Sequence, residues 1–300
     1  MAKARRRDPG TIVGRLRPAD PFELIRWLAR SQPDPRKALA ELVQNSLDAG
    51  ARKIRIVRLR DRGETAIQIL DDGEGVIPEL GRQEALQYVA THIGYSRKRN
   101  LTPEQRRELL LQGKYGIGLL GFWAIGRTLE MRTQLAGEPP FLLRMHEDDP
   151  RYQIERGRGR LSLPERCTEI TVRGLHRPAF VSLSARRIAE YLAAELRGQI
   201  LARGAAILVH DRIARGRAPK VLEVVPRRYE GQRLELPETV AVEGFSPIRV
   251  ELYVRPEDRG EGAIAVSSIG TTVYDDLADF EAADFRREPW IDPRLTGLLE

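Results

Sequence analysis

The chain has 300 residues, 41% of them hydrophobic and 31% charged, a balance that suits a globular protein of two domains or one large one. Its single cysteine, Cys167, excludes an intrachain disulfide framework and a multi-cysteine zinc site. The formal net charge is +7, but residues 1–17 set six basic residues against Asp8, a net +5, which leaves +2 for the other 283. The basicity is therefore that of an N-terminal arm, a weak pointer to nucleic acid. No apolar run approaches the ~20 residues of a membrane span, and the N-terminus lacks a signal peptide's apolar stretch, so a cytoplasmic location without membrane contact is expected.

After the arm, Asp20 to Ser31 reads as a short amphipathic helix with Asp20 as cap and Pro21 in its first turn. Pro33 and Pro35 break the pattern, and Arg36 to Ala49 reads as a second helix stopped by Gly50. Lys53 to Leu59 and Thr65 to Leu70 alternate polar and apolar residues as half-buried strands do, and the DRGE between them suits a hairpin turn. Glu84 to Ala90 is predicted helical. Leu101 to Leu111 is predicted helical too, with Thr102 and Gln105 at capping-box spacing. A glycine-rich loop from Gly113 to Gly118 runs into the apolar, helix-like stretch Leu119 to Ile125. Strand patterns follow at 127–134, 141–145 and 168–173, then a helix at 185–202 and strands at 205–210, 220–225, 248–255 and 263–274. Helices mixed with hairpin-joined strands predict an α+β architecture with a mixed, antiparallel-rich sheet. The division expected is an arm at 1–19, a first domain at 20–179 and a smaller α+β domain at 180–300.

Three polar constellations stand out. In ALAELVQNSLDAG, Glu41, Asn45 and Asp48 share one helix face, and Leu39, Leu42, Val43 and Leu47 fall mainly on the other. Alone this is a common polar stripe, yet a glutamate can orient a water and an asparagine oxygen can ligate Mg²⁺. In DDGEGVIP, directly after a strand, Asp71 can accept a hydrogen bond from an exocyclic amine, and Gly73 and Gly75 let the backbone turn and approach a ligand. In GKYGIG, Gly113, Gly116 and Gly118 lead toward a helix and offer backbone amides to a phosphate, without the spacing of a Walker loop or a dinucleotide fingerprint.

In that order, ELVQNSLDAGA, ILDDGEGVIP and GKYGIGLLGFWAIG resemble the GHKL superfamily, the ATPases named for gyrase, the ninety-kilodalton heat-shock chaperone, histidine kinases and MutL. CTEITVRGL resembles a strand of MutL-like members, with Cys167 in place of the usual glycine and Thr168 retained. The resemblance covers roughly residues 35–178. It implies the Bergerat fold, an α/β sandwich, followed by a transducer-like domain, and ATP and Mg²⁺ as ligands. Glu41 would activate the attacking water, Asn45 would hold Mg²⁺, and Asp48 would support the pocket. Asp71 would accept from the adenine amine, with Gly73 allowing close approach of the base and Thr168 joining through water. Gly75 belongs to the same motif. The loop Gly113, Lys114, Tyr115, Gly116, Ile117 and Gly118 would cradle the phosphates.

Residues 91–112 would form the ATP lid of MutL-like and MORC-like members, with Ser96 or Lys98 touching phosphates. Lys98, Lys114 and Lys220 are candidates for the γ-phosphate contact. An ATP-hydrolysing switch is expected, with lid closure, an ATP-dependent homodimer, and DNA or a protein as client. The alternative is a non-hydrolysing ATP-gated scaffold, clamp or chaperone-like module. An autonomous histidine kinase is disfavoured, because no histidine precedes His92. His92, His146, His176 and His210 read as loop or surface residues, and Trp27, Trp123 and Trp290 as packing residues.

Overall fold

The computed structural model describes residues 18–31, 33–93, 118–157, 166–213, 220–256, 262–280 and 285–300. Helix α1 spans Pro21–Arg30 and α2 spans Pro35–Asp48, each with an aspartate cap and a proline in its first turn. Strands β1 (Lys53–Asp61) and β2 (Glu64–Asp71) form the expected hairpin, and α3 covers Arg82–Thr91. The apolar run after the glycine loop is not one helix. A 3₁₀ turn at Gly118–Gly121 leads into a single helical turn, α4 (Phe122–Ile125), and the chain is extended again from Gly126. There follow β3 (Gly126–Gln134), β4 (Phe141–His146), β5 (Tyr152–Arg156) and β6 (Cys167–Leu175). The helical pattern at 185–202 is in fact two helices, α6 (Ala185–Glu195) and α7 (Arg197–Arg203), after a short α5 at Arg177–Ser182. The break falls at Leu196, which leaves helical geometry with φ −106° and ψ 19°.

Eight strands form the first sheet in the order β5-β4-β3-β6-β2-β1-β7-β8, where β7 is Ala206–Asp211 and β8 is Lys220–Glu223. Every neighbouring pair is antiparallel except β1 and β7. One face is covered by the helices. Leu39, Leu42, Val43 and Leu47 of α2 pack there with Ile54, Ile56, Ile67, Ile69, Ile170 and Val172. This is the layered, antiparallel-rich α/β sandwich that the strand pattern predicted. The other face carries charged side chains paired across strands: Arg173 with Asp61 at 2.5 Å, Arg144 with Glu130 at 2.9 Å and Arg132 with Glu169 at 3.2 Å.

The expected boundary near residue 180 does not coincide with a break in packing. Ile188, Leu192, Leu196, Ile200, Ile207, Val209 and Val224 all belong to the first core. The parallel pairing of β7 with β1 draws α6 and α7 onto the first sheet, and the chain leaves it only after Val224. A second, six-stranded sheet follows, with β9 (Gln232–Arg233), β10 (Thr239–Val240), β11 (Ile248–Val254), β12 (Ile264–Ser268), β13 (Thr271–Tyr274) and β14 (Leu295–Leu299). The strand pattern at 263–274 is thus a hairpin, turning at Ile269 and Gly270. The buried core of this unit is Leu252, Ile264, Leu277 and Leu295.

Trp123 is buried and Trp290 packs on the second core, as expected of packing residues. Trp27 differs. It is 67% exposed, because α1 turns Phe22, Ile25, Leu28 and Ala29 toward the core and leaves Trp27 on the opposite face. Among the described residues no helix is long and apolar enough to cross a membrane.

Candidate functional site

The cavity of interest, about 400 Å³, lies between α2, the loop after β2, α3 and the 3₁₀ turn. Glu41, Asn45, Asp48, Asp71, Gly75, Gly118 and Thr168 all line it. Four of the sequence motifs therefore converge on one space. Ser96, Lys98, Gly113, Lys114, Tyr115, Gly116 and Ile117 lie outside the described residues.

Asp71 is the chemical centre of the buried wall. It ends β2 and is 3% exposed. Its Oδ1 accepts from the backbone N–H of Gly73 at 3.0 Å and of Thr168 at 3.2 Å, and its Oδ2 accepts from Ser46 Oγ at 2.7 Å. Burial pushes its carboxyl above the usual carboxylate range, and these three donors oppose that shift. Thr168 thus reaches Asp71 directly through its backbone, opposite it in the β2–β6 register. Gly73 does not line the cavity but holds Asp71 from behind. A Cβ there would stand 2.8 Å from the Ala49 carbonyl oxygen. Gly75 has φ +85°, a left-handed conformation that a side chain would strain. The neighbouring Asp72 is a latch. Its Oδ1 accepts from Arg52 N and Lys53 N, each at 2.8 Å, and ties the loop to the start of β1.

On α2, Glu41 stands next to Gly118, where an added Cβ would be 3.1 Å from Glu41 Oε2. Asn45 is exposed at the cavity, whereas the apolar residues of α2 are buried. Ser46, which touches Asp71, lies about 7 Å further along the helix axis than Glu41. The carboxylate of Asp48 accepts from Gln44 Nε2 at 2.9 Å and pairs with Arg203 of α7 at 3.4 Å. The remaining wall is mostly apolar, with Val76, Ile77, Leu119, Met131, Met145 and Ile170. Cys167 beside Thr168 is buried, which pushes its thiol up to about 11, so at neutral pH it acts as a small apolar filler.

Several site residues carried no motif. Ser46 is one; a serine on the apolar flank of an amphipathic helix was its only signal. Arg82 is another. Its buried guanidinium donates to the carbonyls of Val76 at 2.7 Å, Ile77 at 3.2 Å and Leu80, and so shapes the cavity loop. Tyr88 of α3 and His92, which caps its C-terminal end, stack at the cavity with ring centroids 3.8 Å apart and planes 10° apart. His92 is thus an exposed residue just past the helix, as expected, and it also lines the cavity. Lys220 is not brought to it. Register pairs Lys220 with Asp211 and Asp211 with Arg58, at the opposite end of the sheet from Asp71, which pairs with Ile54.

Residues 34–145 match the family model for histidine kinase-, DNA gyrase B- and HSP90-like ATPases. The DNA mismatch repair protein MutL of Parabacteroides distasonis is 32% identical over 103 residues, 34% of this chain and 15% of that protein. MutL of Clostridium perfringens is 53% identical over 45 residues, and MutL of Clostridium botulinum strain Kyoto is 50% identical over 44; each match covers 15% of this chain and 6% of the relative. The chain thus spans a minor part of the length of these relatives. Ordered motifs, an antiparallel-rich sandwich and these matches agree: residues 34–145 are similar to the GHKL superfamily of ATPases and, within it, to MutL-like members.

Proposed function

We propose that this chain binds ATP with Mg²⁺ and hydrolyses it as a molecular switch. The observation that carries the reading is the buried Asp71 carboxylate, held on three donors at the wall of a largely apolar cavity that Glu41 and Asn45 also line. A purine fits such a space, since its ring favours the apolar wall and its exocyclic amine needs one buried acceptor. Mg²⁺ commonly takes one or two protein ligands and completes its shell with phosphate oxygens and water. Asn45, which lines the cavity, would hold it, and bound there it would neutralise charge on the phosphates. In the hydrolytic step a water oxygen bonds to the γ-phosphorus while the bond to the β–γ bridging oxygen breaks. Glu41 takes the water's proton, and ADP leaves.

The lid reading, for residues 91–112, rests on the described residues on either side of the 94–117 stretch. His92 and Ile93 line the cavity before it, and Gly118 lines the cavity after it. Ser96, Lys98 and the loop Gly113 to Ile117 would then close over the phosphates, and closure would promote a homodimer. A DNA client is the reading favoured by the basic residues of the arm and by relatives that are mismatch repair proteins. The nucleotide-handling unit takes in α6, α7, β7 and β8, which pack on its sheet.

The test is ATP binding and turnover by the wild type, Glu41→Ala and Asp71→Asn. Glu41→Ala is expected to bind ATP as the wild type does and to lose turnover by about 100-fold. Asp71→Asn can keep its backbone donors but turns an amide N–H₂ toward the base amine, and is expected to lose about 100-fold in affinity. Normal ATP binding by Asp71→Asn would overturn the pocket assignment. Unchanged turnover in Glu41→Ala would overturn the base assignment and leave an ATP-gated clamp. A mass that stays monomeric in light scattering with a non-hydrolysable analogue would rule out ATP-driven dimerisation.

A further inference from the structure

Helix α7 joins the cavity to the second sheet through a ring of buried and half-buried polar groups. Gln44 is 4% exposed on α2, where the other buried residues except Ser46 are apolar. Its Nε2 donates to Asp48 Oδ1 at 2.9 Å, and its Oε1 accepts from Thr271 Oγ1 at 3.4 Å, at the start of β13. Arg203 Nη2 lies 3.4 Å from the same Asp48 oxygen, and Arg203 Nε donates to Gln199 Oε1 at 3.0 Å. Gln199 is fully buried. Its Nε2 donates to the Ile269 carbonyl and its backbone N–H to the Gly270 carbonyl at 3.3 Å. The ring closes because Ile269, Gly270 and Thr271 are consecutive in the β12–β13 hairpin. One member, Asp48, lines the cavity.

The residue types suit this duty. An amide side chain carries separate donor and acceptor ends, so it can donate to a carboxylate on one side and accept from a hydroxyl on the other, and the carboxylate dictates which way the Gln44 amide faces. The hairpin turn is seated with little room to shift. A Cβ on Gly198 would stand 2.5 Å from Gly270 Cα, so backbone meets backbone there. Ile269 has φ +52°, a conformation that a β-branched residue adopts only when its surroundings impose it. The hydrogen bonds from Gln199 to both turn carbonyls supply that restraint.

We propose that Gln44 is a positioning residue: it holds Asp48 in the cavity only while the Ile269–Gly270 turn of the second sheet is seated on α7. Seating of the second unit thereby sets the affinity for nucleotide. This rests on the nucleotide reading of the cavity. Removal of the Thr271 hydroxyl, which touches no part of the cavity, would free one side of the Gln44 amide and let Asp48 relax.

The experiment measures affinity for a non-hydrolysable ATP analogue, with melting temperature alongside, in the wild type, Thr271→Ser, Thr271→Val, Gln44→Leu and the Thr271→Val/Gln44→Leu double variant. Thr271→Ser keeps the hydroxyl and is expected to bind as the wild type. Thr271→Val is expected to bind about five-fold more weakly and Gln44→Leu about ten-fold, with the double variant no weaker than Gln44→Leu alone, as for groups in one network. Wild-type affinity in Thr271→Val, or losses that add in the double variant, would overturn the proposal and leave the nucleotide reading standing. The Thr271 pair decides the matter even if Gln44→Leu fails to fold. A wild type that binds no analogue would sink the nucleotide reading itself, and this proposal with it.

Discussion

The two sheets of this chain solve the problem of stability differently. The first buries whole aliphatic faces: Leu39, Leu42, Val43 and Leu47 of α2 are each 1% exposed or less, against strands equally covered. The second buries Leu252, Ile264, Leu277 and Leu295 and leaves Phe245 80%, Val273 54% and Val240 46% exposed. Its position depends on polar contacts to α7, among them Arg197 with Glu251 at 2.9 Å. Site chemistry falls on the well-packed side of this contrast. A carboxylate such as Asp71 can be held buried on three donors only where the surrounding backbone cannot shift to let water in.

That contrast can be broken by experiment. The largest effect is expected from Leu42→Ala, which opens a cavity under α2. It should cost about 4 kcal/mol in urea unfolding and weaken ATP binding as the helix loosens. Wild-type nucleotide affinity in this variant would separate the site from the packing beneath it.

Next comes Glu195, on α6 where the first unit meets the second. Burial, with Asp275 and Glu41 adding negative charge and Lys37 opposing, pushes its carboxyl from 4.5 up to about 7. Its folded value lies above its unfolded one, so the folded protein binds the extra proton between them. Stability is therefore lost as pH rises from about 4.5 to about 7, and the full cost stands above that range. Glu195→Gln should gain on the order of 3 kcal/mol at pH 8 and nothing at pH 4. A gain of equal size at both pH values would show that ionisation is not its source. The smallest effect is expected from Leu252→Ala in the second core. About 2 kcal/mol should be lost there, with ATP affinity within about threefold of wild type. A larger fall in affinity would show that the second sheet's interior, and not only its turn on α7, supports the site.

Much of the first sheet and of the cavity was legible in the sequence, since the signals are local. The apolar face of α2, the β1–β2 hairpin and the loop with Gly73 and Gly75 each follow from spacing within a dozen residues. Gln44 and Ser46 interrupt the apolar side of α2, and their partners sit at Thr271 and Asp71, where no local pattern points. Arg82 grips the cavity loop by carbonyls, which every residue has, so composition could not mark it.

By itself the sequence picked out residues that line the cavity: Glu41, Asn45 and Asp71 sit in motifs whose order was already informative. It also determined the alternation that makes the strands and the caps that start α1 and α2. Only the tertiary structure decided where the units divide. The parallel pairing of β7 with β1 joins residues about 150 positions apart and carries α6 and α7 onto the first sheet. It also decided that the 185–202 helix breaks at Leu196, so that Gly198 and Gln199 can meet the Ile269–Gly270 turn. Propensity acts over a few residues, whereas these choices were made by surfaces that become neighbours only when the chain has folded.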